Sequence, residues 1–347
     1  MNPETRKQLQ RVIFFFAIVL LMVKVIRDQD KAVVLNQVAG QTMGTIVYNV
    51  KFMAEEEVEY KSAIDSVLKA LNQSLSTYIP NSEISRFNRA DTIVFDSELF
   101  YPMLANSQSI FERTEEAFDP TIGPLVNAWG FGPGGPIANF DSSGVDSLLQ
   151  YVGYSQIGFD QYYATKPSGV YLDFSAIAKG YGVDLVGEFL EKKGIENYMV
   201  EIGGEVRTRG MNDKKKVWSI GIEDPLVARD EQKLLAIARL DNRSVATSGN
   251  YRNYYEKNGV THAHIVDPRT GYSNQNNILS ASVFASDCMT ADAYATAFMV
   301  LGVEKSMEIV NADPNLEALL VYRGEEKSEV VISEGIKESI TIIEPTE

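Results

Sequence analysis

Cysteine is nearly missing from this chain of 347 residues. The one thiol, Cys288, excludes an internal disulfide and any cysteine-cluster metal site, and it suits a reducing or an oxidising compartment equally. Histidine is almost as scarce: His262 and His264 stand two positions apart in THAHIVDPRTG, on one face of an extended segment. A metal would favour that spacing, but few acids lie nearby, and a pair on a sheet surface is the simpler reading. Positive charge is short as well. With 32 Lys and Arg against 47 Asp and Glu the formal charge is -15, and no basic stripe interrupts it. Nucleic acid is therefore a poor partner, and any phosphate-bearing ligand needs a local cation. Internal repeats and low-complexity tracts are absent too, and the 45% hydrophobic, 23% charged composition is that of a globular chain.

What is present begins at the N-terminus. Arg6, Lys7 and Arg11 precede the apolar run VIFFFAIVLLMV, Val12 to Val23, and Lys24 and Arg27 follow it. The run is long for a signal-peptide core and short for a full span, although snorkelling of Lys24 extends it to Ile26. No A-x-A cleavage site follows, nor the cysteine that a lipoprotein needs. Residues 1–27 are thus expected to form an uncleaved anchor with its basic end in the cytoplasm and the rest of the chain outside, a cleaved signal being the alternative. Residues 28–41 read as a linker, 42–335 as one large domain, and 336–347 as a loosely packed acidic tail.

Within the domain, a first strand is expected near Thr45 to Val50. The apolar positions Val58, Ala63, Ile64, Val67, Leu68, Leu71 and Leu75 then mark one face of a helix within 54–75. A second helix is expected over about 97–114. The Gly/Pro-rich run Gly130 to Pro136 is not a dinucleotide fingerprint, because prolines interrupt it and no βαβ unit frames it; it reads as a surface turn. A strand at 169–172 leads to a helix over about 176–193, followed by the strand-like segments YMVEI, EVRTR, VWSIGIE, LLAIARL and ILSASVFA. Cys288 to Gly302 reads as a helix ended by Gly302. Successive strands with few intervening helices argue for an antiparallel α+β layer.

Three constellations carry chemistry. Asp292 and Thr296 stand i, i+4 on one face of an otherwise apolar helix, so two oxygens point the same way. A hard cation such as Mg2+ uses such ligands and fills its remaining positions with waters and phosphates. From spacing alone, an N-terminal Asp with a Thr bonded back to its own helix is the simpler reading. LDFSAIAKGYGVD, Leu172 to Asp184, ends a strand in an acid and enters a helix through small residues. Its backbone N–H groups, helix dipole and Lys179 suit an anion, and an ordinary turn with a solvated lysine fits the same residues. Gly203 and Gly204 in EIGGEV imply a bulge or a closely approaching ligand, the bulge being the simpler.

Taken in order, TMGT (42–45), STYIPNSEISRFN (76–88), AFDPTIGPLVNAWGFG (117–132), DFSAIAKGYGVD (173–184), IGGEVRTRG (202–210), TSGNYRNYY (247–255), HIVDPRTG (264–271) and TADAYATAFMVLG (290–302) resemble the FAD:protein FMN transferase (ApbE) family. The resemblance implies an α+β fold, a single large domain of two interlocked lobes with mainly antiparallel sheets and flanking helices. It implies an enzyme that splits FAD at its pyrophosphate and links FMN to a Thr or Ser hydroxyl of an exported acceptor protein, such as a subunit of a membrane redox pump. By the same resemblance Mg2+ is held by Asp292, Thr296 and the carbonyl of Ala176. The flavin nucleotide is met by Met43, Tyr78, Ala117, Phe118, Asp119, Asp173, Lys179 and Ile265, and His264 is the base that activates the acceptor hydroxyl. His262 has no counterpart, and Ala295 stands where the family often carries a second acid, which leaves a thinner metal shell. Two other activities fit the same residues: hydrolysis of FAD to FMN and AMP, and non-catalytic binding of FAD at a membrane.

Overall fold

The structure is a computed structural model that describes residues 13–16, 18–19, 33–131, 137, 140–227, 233–249, 254–257, 260–263, 265–273, 276–325 and 327–343, without the side chains of 254–257 and 260–263. Its frame is an eight-stranded, wholly antiparallel sheet built from β1 (Val34–Thr42), β2 (Ile46–Ala54), β6 (Tyr198–Ile202), β7 (Glu205–Arg209), β10 (Ser244–Gly249), β13 (Ile278–Ala285), β14 (Glu317–Arg323) and β15 (Ser328–Ile332), in that spatial order. Smaller sheets are β3 (Thr92–Val94), β5 (Tyr163–Thr165) and β4 (Gly158–Phe159); β16 (Ile340–Ile342), β9 (Leu234–Leu240) and β8 (Trp218–Glu223); and the ribbon β11 (Tyr254–Lys257) with β12 (Val260–Ala263). The helices are α1 (Lys61–Leu75), α2 (Glu83–Asn88), α3 (Phe100–Arg113), α4 (Gly123–Trp129), α5 (Ser142–Leu149), α6 (Ala178–Lys192), α7 (Cys288–Leu301) and α8 (Val303–Ala312).

Alternation along the strands gives the large sheet two buried faces. Tyr48, Val50, Phe52, Tyr198, Val200 and Ile202 face Ile64 and Leu68 of α1 and Val183, Val186 and Leu190 of α6. Val206, Val245, Phe284, Leu319 and Val321 face the other way, onto Ile222, Ala236, Ala238 and Leu240 of the β8–β9 hairpin. Between the first face and α3 lies α7, buried all round through Ala291, Ala293, Ala295, Ala297, Phe298 and Met299. A helix apolar on every side belongs in the core, and its alanines let neighbouring backbones come close.

The α+β architecture with mainly antiparallel sheets is the one expected, and YMVEI, EVRTR and ILSASVFA form strands at the expected places. Four readings are corrected. The linker 28–41 contains β1, which pairs with β2 over nine residues and buries Val38, so the domain begins upstream of residue 42. The tail is not loose: Glu334–Ser339 forms a 3-10 turn that buries Ile336, and β16 pairs with β9. Residues 169–172 form no strand: Gly169 lies in a turn with φ of 93°, and at Leu172 the Asn88 side chain takes a strand's place, accepting from Leu172 N–H and donating to Leu172 C=O, both at 2.8 Å. The first helix starts at Lys61, since Ala54 still belongs to β2. Residues 13–16 and 18–19 are helical, and most of the expected anchor, like 132–136 of the Gly/Pro run, lies outside the described residues. No helix among the described residues is long and apolar enough to cross a membrane.

Candidate functional site

The site begins where α6 and α7 meet. Each helix caps the other. Asp292 of α7 accepts from Gly180 N–H in the first turn of α6 at 2.9 Å, and Asp184 of α6 accepts from Cys288 and Met289 N–H at the start of α7 at 2.9 and 2.8 Å. The contacts run in opposite chain directions, 180 with 292 and 184 with 288, so two positive helix ends overlap and each meets a carboxylate. Asp287 completes the α7 cap by accepting from Thr290 N–H at 2.8 Å. Closeness of the backbones makes Gly180 obligatory: a Cβ there would stand 2.2 Å from the Cys288 carbonyl oxygen and 2.8 Å from Asp292 Cβ.

Lys179 puts an ammonium beside two carboxylates: its Nζ is ion-paired with Glu205 of β7 and lies 3.8 Å from Asp292 Oδ1. Asp292 and Glu205 are each 2% exposed. Burial works against the Lys179 charge, but Asp292 and Glu205 outweigh it and hold the ammonium above its ordinary range. Burial likewise raises Asp292, opposed by Lys179 and by the Gly180 N–H. It pushes Glu205 up to about 7, with Lys179 opposing and Asp292 adding to the rise. A second ionic group lies further along the same face of α6: Arg207 reaches Asp184 at 3.0 Å and Glu191 at 3.1 Å. Burial and Asp287 raise Asp184 to about 6, against the Cys288 and Met289 N–H groups and Arg207.

The proposed cation ligands have the right chemistry at this junction. Asp292 gives one oxygen to Gly180, while Oδ1 has only the 3.8 Å approach of Lys179. The Ala176 carbonyl lies before the N-cap Ile177, outside the α6 ladder, and among the described residues it receives no hydrogen bond. Thr296, one turn beyond Asp292, exchanges a hydrogen bond at 3.1 Å with Ser248 of β10. A carboxylate oxygen, a free carbonyl and a hydroxyl are oxygen donors of the kind a hard cation takes, with waters and phosphate filling the rest. Among the described residues no group of three or more His, Cys, Asp or Glu side chains could hold a metal, so protein carboxylates alone do not make the site. Ala295 is fully buried in the apolar core.

Of the remaining predicted residues, Ala117–Asp119 lie in the loop that meets the segment from Asp173 to Lys179. Asp173 N–H donates to the Pro120 carbonyl at 2.7 Å, which ties this segment to Ala117–Asp119. Ala117 and Phe118 are buried in the core, and Asp119 is nearly so. Both Asp119 oxygens are engaged internally, Oδ1 by Thr121 N–H and Oγ at 2.7 and 2.6 Å and Oδ2 by Tyr154 N–H at 3.0 Å. Asp119 therefore fixes the loop into α4, and burial still raises it to about 6. Asp173 accepts from Ser175 N–H and hydroxyl through one oxygen. Tyr78 is 66% exposed, next in chain to Thr77, whose hydroxyl bonds Tyr171 two residues before Asp173. Met43, in the β1–β2 turn with φ of 46°, brings its Cε within 3.5 Å of where a Cβ on Gly182 would stand.

Ile265 is buried. After it, Gly271 and Thr270 N–H bond the Asp267 carbonyl at 2.8 and 3.2 Å, forming the expected turn, and Trp129 Nε1 donates to Gly271 C=O at 2.9 Å. His264 lies outside the described residues; His262 lies on β12, opposite Tyr255.

Three contributors were not singled out from the sequence: Glu205, the Asp184–Arg207 pair and Ser248. The glycines of EIGGEV gave a signal that was misread. Ile202 pairs directly with Glu205, and Gly203 and Gly204 have φ of 62° and 105°, so they make a two-residue hairpin turn of the primed kind rather than a bulge. That turn places Glu205 first on β7, facing Lys179.

Known proteins resemble this chain over most of its length. The profile of the ApbE family matches residues 43–320. The FAD:protein FMN transferase of Haemophilus influenzae is 40% identical over 299 residues, 82% of this chain and 86% of that protein. The one from Vibrio cholerae is 37% identical over 311 residues, 86% and 91% of the two chains. Among solved structures, the flavin transferase ApbE from Vibrio cholerae superposes with a TM-score of 0.80 at 33% identity, over 89% of this chain and all 100% of that one. The apo flavinyl transferase ApbE of Pseudomonas stutzeri gives 0.79 at 30%, over 88% and 97%.

Proposed function

This chain belongs to the ApbE family, a family of enzymes, and from that premise we propose that it transfers FMN from FAD to a Thr or Ser hydroxyl of an exported acceptor protein in a Mg2+-dependent reaction. The acceptor oxygen forms a new bond to the FMN phosphorus, the pyrophosphate P–O bond breaks, and AMP leaves with the bridging oxygen. His264 takes the hydroxyl proton. Asp292, Thr296 and the Ala176 carbonyl would hold the cation, which when bound neutralises charge developing on the pyrophosphate. Lys179 adds a fixed positive charge, and the start of α6 adds oriented N–H groups. Met43, Tyr78, Asp173 and Ile265 bound the flavin nucleotide. Ala117, Phe118 and Asp119 shape its pocket from behind, their side chains being committed to the core and to the loop.

The single observation that carries the reading is the junction itself. In a chain of net charge -15, Lys179, two helix N-termini and a carboxylate with a spare oxygen meet at one buried point. The decisive experiment incubates the purified protein with FAD, Mg2+ and an exported acceptor carrying a flavinylation motif, and weighs the products. An acceptor heavier by FMN, with stoichiometric AMP, is expected. Free FMN and AMP with unmodified acceptor would instead establish a FAD diphosphatase, and bound FAD with no AMP a non-catalytic flavin carrier. The basic-flanked apolar run at the N-terminus supports membrane attachment with the catalytic domain on the periplasmic or outer face, near redox-pump acceptors. Protease digestion of intact spheroplasts checks this, since a domain protected until lysis would overturn it.

A further inference from the structure

Glu205 has no part in the reaction as written, yet it is among the most constrained polar groups of the junction. It is 2% exposed, one oxygen pairs with Lys179, and the other, Oε2, has no hydrogen-bond partner among the described residues. The hairpin turn brings the pair together: the Lys179 stem and the unpartnered oxygen both border Gly203, at 3.6 and 3.7 Å from where its Cβ would stand. Lys179 thus lies between two carboxylates, pressed on one and 3.8 Å from the other.

We propose that Glu205 is a positioning residue that draws the Lys179 ammonium off Asp292 and so keeps Asp292 Oδ1 open to a divalent cation. The inference rests on the cation reading above. Two carboxylates and one ammonium leave this cluster one negative charge in excess, and a divalent cation turns that into one positive. Without Glu205 the same step goes from neutral to two positive charges, in a place where burial weakens screening. Lys179 would then have Asp292 as its nearest anion and would compete for the oxygen the cation needs. The spare Oε2 gives the ammonium a second acceptor when the cation arrives.

The test is Mn2+ binding to the full chain, followed by electron paramagnetic resonance, in the wild type, Glu205→Gln, and Glu205→Gln combined with Lys179→Met, each checked for an unchanged circular dichroism spectrum. Glu205→Gln is expected to bind Mn2+ about tenfold or more weakly, and the double variant to recover to within roughly threefold of wild type, because the competing ammonium is gone. A loss through damaged packing would not be repaired by removing a second side chain. Wild-type affinity in Glu205→Gln overturns the proposal. Equal weakness in the single and double variants also overturns it, and would make Glu205 a ligand or a structural residue. Absence of Mn2+ binding in the wild type refutes the cation reading itself, and the proposal falls with it.

Discussion

Gly180→Ala asks whether the contact between α6 and α7 is as close as the structure has it. An added Cβ would lie 2.2 Å from the Cys288 carbonyl oxygen and 2.8 Å from Asp292 Cβ, and the first of these is backbone, which cannot rotate away. The helices must separate, with an overpacking cost of about 1–3 kcal/mol. Separation also stretches the 2.9 Å bond from Gly180 N–H to Asp292, a hydrogen bond to a charged group worth about 1.5–3 kcal/mol. Against this stands a gain of about 1 kcal/mol from replacing glycine within a helix. The net is a destabilisation of about 2–4 kcal/mol, or roughly 3–6 °C in Tm for a domain of this size. Gly182→Ala on the same helix is the control. It carries the same propensity gain, but its Cβ would meet only the movable ends of Leu71 at 3.0 Å, Ile202 at 3.3 Å and Met43 at 3.5 Å. Calorimetry of the two variants, with FMN transfer assayed in parallel, separates the effects. Gly180→Ala should lose most of its transfer activity, because Asp292 moves with the cap. A Gly180→Ala protein as stable and active as Gly182→Ala would refute the reciprocal-capping argument.

Four further outcomes are expected. Asp292→Ala should abolish divalent-dependent turnover, read as AMP release across a Mg2+ titration. His264→Ala should lower kcat for transfer by about 100-fold or more while changing FAD affinity little, since a base acts in the transition state; full transfer activity would discard it as the base. Asp184→Ala leaves the Cys288 and Met289 N–H groups without their acceptor and Arg207 with Glu191 alone, a loss of about 1–3 kcal/mol visible in denaturant melts. Asp119 and Asp184, each raised by burial to about 6 in the native state, hold protons that the unfolded chain has released. Their contribution is therefore fully present below their unfolded values near 4 and is lost as pH rises through about 6, so Tm should fall between about pH 4 and 6. Asp119→Asn should flatten part of that slope, and an unchanged slope would remove Asp119 from the account.

Much of this fold was legible in the sequence for identifiable reasons. Strands β6, β7 and β13 and helix α7 were readable because buried residues alternate or crowd there and Gly302, with φ of 79°, ends the helix. What failed was pairing that local pattern does not encode. β1 carries Asn36, Gln37 and Gln41 between its apolar positions, as an edge strand can, and composition made it look like a linker. Residues 169–172 have strand-like content, but at Leu172 a side chain, Asn88, satisfies the backbone instead of a neighbouring strand. At the site, the i, i+4 spacing of Asp292 and Thr296 was visible, whereas Glu205 acts on Lys179 from 26 positions further along the chain, through a turn whose glycines only the register identifies.

The reciprocal caps also concentrate positive potential at one point of a very acidic chain, as the proposed pyrophosphate site requires. Arg207 is neutralised by Asp184 and Glu191, further along the same face of α6. Positive potential at the junction comes mainly from two overlapping helix ends and Lys179, and each source is met by a carboxylate. Asp184 answers the end of α7, Asp292 answers the end of α6, and Glu205 answers the ammonium. Of the three, only Asp292 keeps an oxygen without a hydrogen-bond donor while sharing a helix face with a hydroxyl, Thr296. The proposed cation position is therefore singled out by what its neighbours already satisfy, and the Ala176 carbonyl, which lies just before the α6 cap, accepts no hydrogen bond among the described residues. One hydrogen bond from Gly180 both caps α6 and orients Asp292, so a change at Gly180 should disturb both at once.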